Sequence, residues 1–146
     1  MIVDYSFIFY GSLMDEDLVN KVCQFLPTTT RMGFIKGSLF EVTDYTEPNQ
    51  IFKYPLAVLD ESGEFIIAKL NIFSLNEQEF NDMRARLIDF EGYLYELTRA
   101  IFHGFSNQED DGFIFVAKTD LNLDGHERIR KLSPIAGVYL WNKECT

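Results

Sequence analysis

The chain has 146 residues, 47% of them hydrophobic, which is enough for one well-buried core and too little to argue for two domains. We therefore expect a single domain over residues 1–146. The 23 acidic and 13 basic residues give a formal net charge of -10, which would repel phosphate groups, so nucleic acid is not an expected partner. The cysteines and histidines stand apart from one another, which argues against a metal site or a disulfide framework: Cys23, Cys145, His103 and His126.

The start of the chain, Met1-Ile2-Val3-Asp4, lacks the positive region and the long apolar run of a signal peptide. No apolar stretch approaches the length that spans a bilayer. We therefore expect a soluble, cytoplasmic protein without a membrane partner. Nothing in the sequence specifies an oligomeric state.

The first predicted strand runs from Tyr5 to Tyr10, where almost every residue is apolar, as in a central strand that is buried on both faces. Gly11 and Ser12 end this strand. A helix is predicted over Asp15 to Leu26, because apolar residues recur at helical spacing and acidic residues occupy its first turn. The segment Pro27–Thr30 is predicted to end the helix.

Five further strands are indicated by apolar and aromatic runs between Gly, Pro, Asn and Asp clusters. They are Phe34–Val42, Leu56–Leu59, Phe65–Phe73, Leu97–Phe102 and Phe113–Val116. Two of the breaks between them, Asp44 to Gln50 and Ser106 to Asp111, are predicted to be polar loops.

A second helix is predicted before Gly92. Ser74-Leu75-Asn76-Glu77 has the pattern of a capping box at its start. One helical face is apolar and is formed by Phe80, Met83, Leu87 and Phe90. Many strands with only two substantial helices predict an α+β domain, with a mixed sheet curled towards a barrel.

The tail from Asp120 onwards has weaker patterns. Asp124-Gly125 is typical of a turn, and Glu127 to Leu132 is compatible with a short helical turn. Val138 to Trp141 is predicted either to add an edge strand or to cover the core.

The segment Tyr10-Gly11-Ser12-Leu13, between the first strand and the first helix, has the features of an anion-binding loop. Backbone N–H groups without partners and the dipole of the following helix suit a carboxylate or a phosphate. Gly11 permits close approach of the backbone, and Ser12 supplies a hydroxyl. The alternative is an ordinary turn in which Ser12 only caps the helix.

Glu91 lies in the last turn of the second helix, where the partial negative charge of the helix end disfavours a carboxylate. Its bulky neighbours Phe90 and Tyr93 would disfavour the ionised form further. Both effects raise the pKa of Glu91 towards neutrality, as a group that transfers protons requires. The alternative is an exposed ion pair with a nearby arginine, either Arg84, Arg86 or Arg99.

The order of these motifs resembles the γ-glutamylcyclotransferase-like superfamily and, more narrowly, its AIG2-like and γ-glutamylamine cyclotransferase branch. The motifs are Tyr10–Leu13 after the first strand, Tyr54-Pro55 in the middle, and Glu91-Gly92 at a helix end followed by Tyr95 and Arg99. The resemblance covers about Phe7 to Ala117 and leaves the tail outside.

The resemblance implies a barrel-like mixed sheet with a cavity, no metal and no organic cofactor. By the same resemblance, the backbone amides of Tyr10, Gly11, Ser12 and Leu13 would hold the γ-glutamyl group of a small-molecule substrate, and Glu91 would be the catalytic acid and base. The implied reaction releases 5-oxoproline, because the α-amine attacks the γ-carbonyl and displaces the attached amine.

The sequence departs from the family pattern at three positions. Ile88 occupies the place of an aspartate, Phe115 stands where the late strand usually has a tyrosine, and Arg99 follows Tyr95 at a longer spacing. Ile88 and Phe115 favour a second hypothesis, a non-catalytic module that binds a small metabolite or a peptide. A third hypothesis is a different transfer on a γ-glutamylated carrier, with the two polar loops shaping access.

Overall fold

The computed structural model describes residues 1–44, 51–135 and 137–141. Its elements within these ranges are β1 Val3–Phe9, a 3₁₀ turn Ser12–Met14, α1 Glu16–Cys23, β2 Thr29–Asp44, β3 Phe52–Leu59, β4 Glu64–Leu75, α2 Glu77–Glu91, β5 Tyr95–Gly104, β6 Glu109–Ala117, β7 Ile129–Lys131 and β8 Val138–Tyr139.

The sheet closes into a barrel through the pairing of β2 with β4. Strand β1 lies between β4, to which it is antiparallel, and β6, to which it is parallel. Strand β5 joins β6 to β2, and the first half of β2 pairs with β4 and completes the circle. The predicted α+β class, with a mixed, barrel-like sheet and two helices, is confirmed.

Strand β2 is long enough to leave the barrel and continue beyond it. Gly37 marks the change of partner, because it pairs with Glu64 at the start of β4 and with Leu59 at the end of β3. The second half of β2 therefore pairs with β3 on one edge and with β7 on the other. This extension forms one wall of the cavity described below.

Two cores follow from the two faces of β1. Ile8 and Tyr10 belong to a core that strands from all around the barrel supply. Phe7 and Phe9 belong to a second core that includes buried residues of both helices, such as Val19 and Leu87. From Phe7 to Phe9 both faces of β1 are covered and every residue is apolar, as predicted, whereas Val3 and Asp4 are exposed.

The first helix is shorter than predicted. It ends at Cys23, because Gln24 adopts a left-handed conformation with φ 61° and its N–H bonds to the Asn20 carbonyl. Thr29 and Thr30 begin β2 and pair with β4, so the prediction that this threonine run ends the helix is wrong.

The second helix has a capping box two positions later than predicted. Asn76 accepts a hydrogen bond from the Glu79 N–H at 2.8 Å, and the Glu79 carboxylate accepts one from the Asn76 N–H at 2.9 Å. Ser74 instead belongs to β4, where its hydroxyl bonds to Asp4. Gly92 ends the helix at φ 91°, as predicted.

The loops and the tail differ in part from the predictions. The loop before β6 is shorter, because β6 begins at Glu109. Asp44 ends β2, and the remainder of the predicted loop to Gln50 lies outside the described residues. The predicted helical turn at Glu127–Leu132 is wrong, because Ile129–Lys131 pairs with β2, whereas Val138–Tyr139 is an edge strand parallel to β4.

No helix in the described ranges is both long enough and apolar enough to cross a membrane.

The capping box makes a stability prediction. We expect Asn76→Ala to lower the free energy of unfolding by about 1 kcal/mol, because the first turn of α2 loses its side-chain acceptor. Ser74→Ala, which removes an exposed hydroxyl before the helix, is expected to cost about 0.5 kcal/mol or less. Urea unfolding monitored by circular dichroism measures both, and the reverse order would contradict this assignment.

Candidate active site

A cavity of about 390 Å³ opens where the end of β1, the extended half of β2 and the end of α2 meet. Its volume is in the range of small-molecule sites. The loop Tyr10–Leu13 and Glu91, which are far apart in the sequence, both line it. The structure therefore brings the two sequence-predicted segments to one place.

The loop Tyr10–Leu13 leads from β1 into the 3₁₀ turn. The first hydrogen bond of the turn runs from the Met14 N–H to the Gly11 carbonyl at 3.0 Å, so the N–H groups of Ser12 and Leu13 precede it and have no acceptor within the turn. Asp15, not Ser12, caps α1, by accepting a bond from the Asp17 N–H at 3.1 Å. The alternative in which Ser12 caps the helix is therefore wrong.

Gly11 packs directly against Pro55 of β3. A Cβ atom at position 11 would lie 2.5 Å from the Pro55 Cγ, well inside van der Waals contact. The backbone of the loop can approach β3 so closely only because Gly11 has no side chain. This contact fixes the loop against the wall of the cavity.

The Tyr10 side chain ties three strands together below the loop. Its hydroxyl donates to the Phe115 carbonyl of β6 at 2.7 Å and accepts from the Ala57 N–H of β3 at 3.1 Å. Burial raises the pKa of this phenol, and the nearby Glu91 carboxylate raises it further. Tyr10 thus stays neutral, and its hydroxyl holds the site together.

Glu91 lies at the end of α2 with its carboxyl group in the cavity wall. Burial raises the pKa of Glu91 to about 7. The side chain keeps some contact with solvent, because the cavity is open on one side. The carboxyl group can therefore exchange protons near neutral pH. Of the two causes expected from the sequence, the helix end and burial, burial is the one that accounts for this shift.

The three arginines that were candidates to pair with Glu91 have other contacts among the described residues. Arg84 lies over the Phe80 ring, with 5.8 Å to its centroid. Arg86 donates to the Cys23 carbonyl at 2.6 Å, and Arg99 pairs with Asp111 at 3.0 Å. The ion-pair alternative for Glu91 is therefore wrong for these three residues.

Two more tyrosines surround the carboxyl group. The Tyr95 hydroxyl donates to the Pro55 carbonyl. Burial raises the pKa of Tyr95 well above its ordinary value, with smaller contributions from Tyr10, Glu91 and Tyr54. The pKa of Tyr54 is also raised, by burial and by the charge of Asp44. These tyrosines, which line the cavity with Glu91, therefore stay neutral and add no charge to it.

The tail supplies cavity residues that the sequence analysis missed. His126 and Arg128 line the cavity opposite the loop, just before β7. The Arg128 carbonyl accepts a bond from the Thr43 N–H at 2.8 Å, which continues the pairing of β7 with β2. No local pattern identifies these two residues, because only the pairing of distant strands places them here.

Two residues that depart from the pattern of the resembled family, Phe115 and Ile88, lie in different surroundings. Phe115 is buried and lines the cavity, where its ring offers no hydroxyl. Ile88 is half exposed on α2 and does not contribute to the lining. Of these two residues, Phe115 lines the cavity and Ile88 does not.

No group of three metal-ligating side chains occurs in the part of the chain that the structure describes. Cys23 is buried in the core between sheet and helices, and burial raises the pKa of its thiol to about 12. This thiol is therefore an unreactive core group.

The raised pKa of Glu91 predicts a pH-dependent stability. The folded protein holds the Glu91 proton more tightly than the unfolded chain, so this group makes the free energy of unfolding fall as pH rises from about 4.5 to about 7. We expect Glu91→Gln to abolish this component and to be more stable than the wild type at pH 8 by about 1–3 kcal/mol, allowing for solvent in the cavity.

Urea unfolding between pH 5 and pH 8 measures this difference. Asp89→Asn, which removes an exposed carboxylate of the same helix, is the matched control and is expected to show no such trend. A difference between wild type and Glu91→Gln that does not change with pH would contradict the assigned pKa.

The Gly11 contact makes a second prediction about the site. Gly11→Ala is expected to lower the free energy of unfolding by about 1–3 kcal/mol, because the added methyl group meets Pro55. Ser12→Ala is expected to change it by about 0.5 kcal/mol or less, because this exposed hydroxyl caps no helix. Equal stabilities of the two variants in urea unfolding would show that the loop does not press on β3.

Neither a family model nor a curated protein sequence matches this chain. Solved structures do match. A protein from Arabidopsis thaliana with a solution structure has a TM-score of 0.57 and 16% identity, over 85% of this chain and 69% of that one. A γ-glutamyl cyclotransferase has a TM-score of 0.55 and 7% identity, over 80% of this chain and 68% of that one.

A third similar structure is the allophanate hydrolase of Kluyveromyces lactis. It covers 90% of this chain with 19% of its own length, at a TM-score of 0.52 and 10% identity. Identities this low support likeness of fold and leave activity open. Together with the closed mixed barrel and its two helices, these matches show that the chain has the γ-glutamyl cyclotransferase-like fold.

Proposed function

We propose that this protein is a γ-glutamyl cyclotransferase, which converts a γ-glutamyl amine or peptide into 5-oxoproline and a free amine, with Glu91 as the acid and base. The observation that carries the proposal is the position of Glu91. Glu91, whose carboxyl group has a pKa of about 7, shares one cavity with Ser12 and Leu13, whose backbone amides donate to no acceptor among the described residues.

The loop is suited to the charged head of such a substrate. A γ-glutamyl group carries an α-carboxylate, and backbone N–H groups that point into a cavity are good donors to a carboxylate or to a developing oxyanion. Gly11 lets this backbone pack against Pro55, which holds the loop against the wall of the cavity.

One carboxyl group is sufficient for the proton transfers. Ionised Glu91 accepts a proton from the substrate's α-ammonium group, and the neutral amine then attacks the γ-carbonyl carbon. A C–N bond forms in the new five-membered ring while the C–N bond to the leaving amine breaks. Protonated Glu91 gives its proton to the departing nitrogen. The regenerated carboxylate then takes the second proton from the new ring nitrogen and passes it to the released amine, so atoms and charge balance with a single carboxyl group.

The cavity supports this chemistry in two further ways. The attacking amine and the γ-carbonyl belong to the same substrate molecule. The protein therefore accelerates the reaction mainly by holding the substrate in the folded conformation that brings these two groups together. Tyr10 and Tyr95 are neutral and anchored to backbone carbonyls, so they form a rigid wall around the carboxyl group and add no competing base.

A second candidate function is a non-catalytic module that binds a small acidic metabolite in the same cavity. The observation in its favour is Phe115, whose buried ring lines the cavity without offering a hydroxyl to a ligand. Such a module would bind γ-glutamyl compounds and form no 5-oxoproline during a long incubation.

Replacement of the carboxyl group tests the proposal. Glu91→Gln is expected to lower kcat for 5-oxoproline formation by at least about 100-fold, because the acid and base is lost while the shape is kept. In the wild type, kcat/KM is expected to rise with pH and to level off above about 7, where Glu91 is ionised. Chromatographic detection of 5-oxoproline measures both effects.

Asp89→Asn serves again as the control, because it removes an exposed carboxylate close to Glu91 in sequence and outside the cavity lining. It is expected to keep wild-type kcat. Undiminished 5-oxoproline production by Glu91→Gln would refute the assignment of the acid and base. Binding of γ-glutamyl amides by the wild type without any turnover would establish the module instead.

A further inference from the structure

The mouth of the cavity is built from aromatic side chains that are unusually exposed. Tyr93 is 79% exposed, Phe90 42% and Tyr54 41%, and all three line the cavity. On the loop side, Tyr10 and Leu13 are buried and Ser12 is exposed. An exposed aromatic surface that is continuous with a cavity is typical of a ligand groove.

The position of the mouth relative to Glu91 identifies which part of a substrate meets it. Phe90 and Tyr93 flank Glu91 in the chain at the end of α2, and Tyr54 lies beside Pro55, against which Gly11 packs. When the γ-glutamyl head lies on the loop and its γ-carbonyl faces Glu91, the leaving group extends towards the open side. The aromatic mouth is therefore the site of the leaving amine.

The charges of the cavity limit what the leaving amine can carry. Among the described lining residues, the acidic side chains are Glu91 and Asp44, and the basic ones are Arg128 and His126. Arg128 and Asp44 already have partners, and the His126 ring accepts a bond from the Arg128 N–H at 3.2 Å. A second carboxylate on the leaving group would share the cavity with the carboxyl groups of Glu91 and Asp44, which disfavour it.

We infer that the site selects γ-glutamyl amides whose leaving amine carries an apolar or aromatic group and no second carboxylate. This inference rests on the proposed function and narrows its substrate class. Apolar contact with Phe90, Tyr93 and Tyr54 favours a ring on the leaving group. The carboxyl groups of Glu91 and Asp44 disfavour an added carboxylate. The preference is one for amides of arylalkylamines over γ-glutamyl amino acids.

Four substrates with the same γ-L-glutamyl head separate the effects of a ring, a carboxylate and a cation on the leaving group. They are the γ-glutamyl derivatives of ethylamine, phenethylamine, phenylalanine and putrescine. Phenethylamine adds a ring to ethylamine, phenylalanine adds a carboxylate to phenethylamine, and putrescine adds a cation in place of the ring. The kcat/KM for 5-oxoproline formation is expected to be about tenfold higher for the phenethylamide than for each of the other three.

Variants of the aromatic residues at the mouth test whether these side chains cause the preference for a ring on the leaving group. Tyr93→Ala and Phe90→Ala are expected to reduce the ratio of kcat/KM between the phenethylamide and the ethylamide to about one-third or less of its wild-type value. The control is Phe105→Ala, because Phe105 is equally a surface aromatic but contacts Phe34 and lies outside the cavity lining. This control is expected to keep the wild-type ratio.

The possible results distinguish this inference from the proposed function. Equal turnover of the phenethylamide and the ethylamide, or faster turnover of the phenylalanine or putrescine compound, would overturn the inference and leave the cyclotransferase proposal standing. Calorimetric titration of Glu91→Gln with the same compounds measures the preference without turnover. Tighter binding of the phenethylamide, with no 5-oxoproline formed by the wild type, would support the inference and overturn the catalytic proposal.

Discussion

The pairing of β2 with two successive partners is the constraint on which the rest of the structure depends. The first half of β2 pairs with β4 and closes the barrel, and the second half pairs with β3 and β7 beyond it. The change occurs at Gly37, where Gly63 approaches so closely that a Cβ on Gly63 would lie 2.8 Å from the Gly37 Cα. Closure removes the exposed edges of the barrel strands, and the extension provides a wall against which a cavity can form.

Hydrogen bonds of two tyrosine hydroxyls connect these strands to one another at the cavity. Tyr10 joins β1 to β6 and β3, and Tyr95 joins β5 to β3. All three bonds reach backbone groups in or next to the cavity lining, so the side chains that join the strands also form part of the cavity. The raised pKa of Glu91 is thus a consequence of packing, and the stability that this burial costs above neutral pH is compensated elsewhere in the fold.

Local sequence patterns predicted the elements that depend on near neighbours. The apolar run of β1, the amphipathic helix α2 and its end at Gly92 follow from periodicity and from glycine's freedom at positive φ. Boundaries were less predictable where two signals compete. Asn76 caps α2 although Ser74 has the same type of pattern, because β4 holds Ser74 in the ladder with β1.

The sequence by itself determined the class of the fold. It also identified two candidate site segments, Tyr10–Leu13 and Glu91, because short motifs and their order can be read directly from the chain. Only the tertiary structure decided that these segments share a cavity, that Glu91 is partly buried and free of Arg84, Arg86 and Arg99, and that the tail contributes to the site. These features depend on pairings between strands that are distant in the sequence, which no local pattern predicts. Glu91 becomes partly buried only when these strands have paired and the barrel has closed.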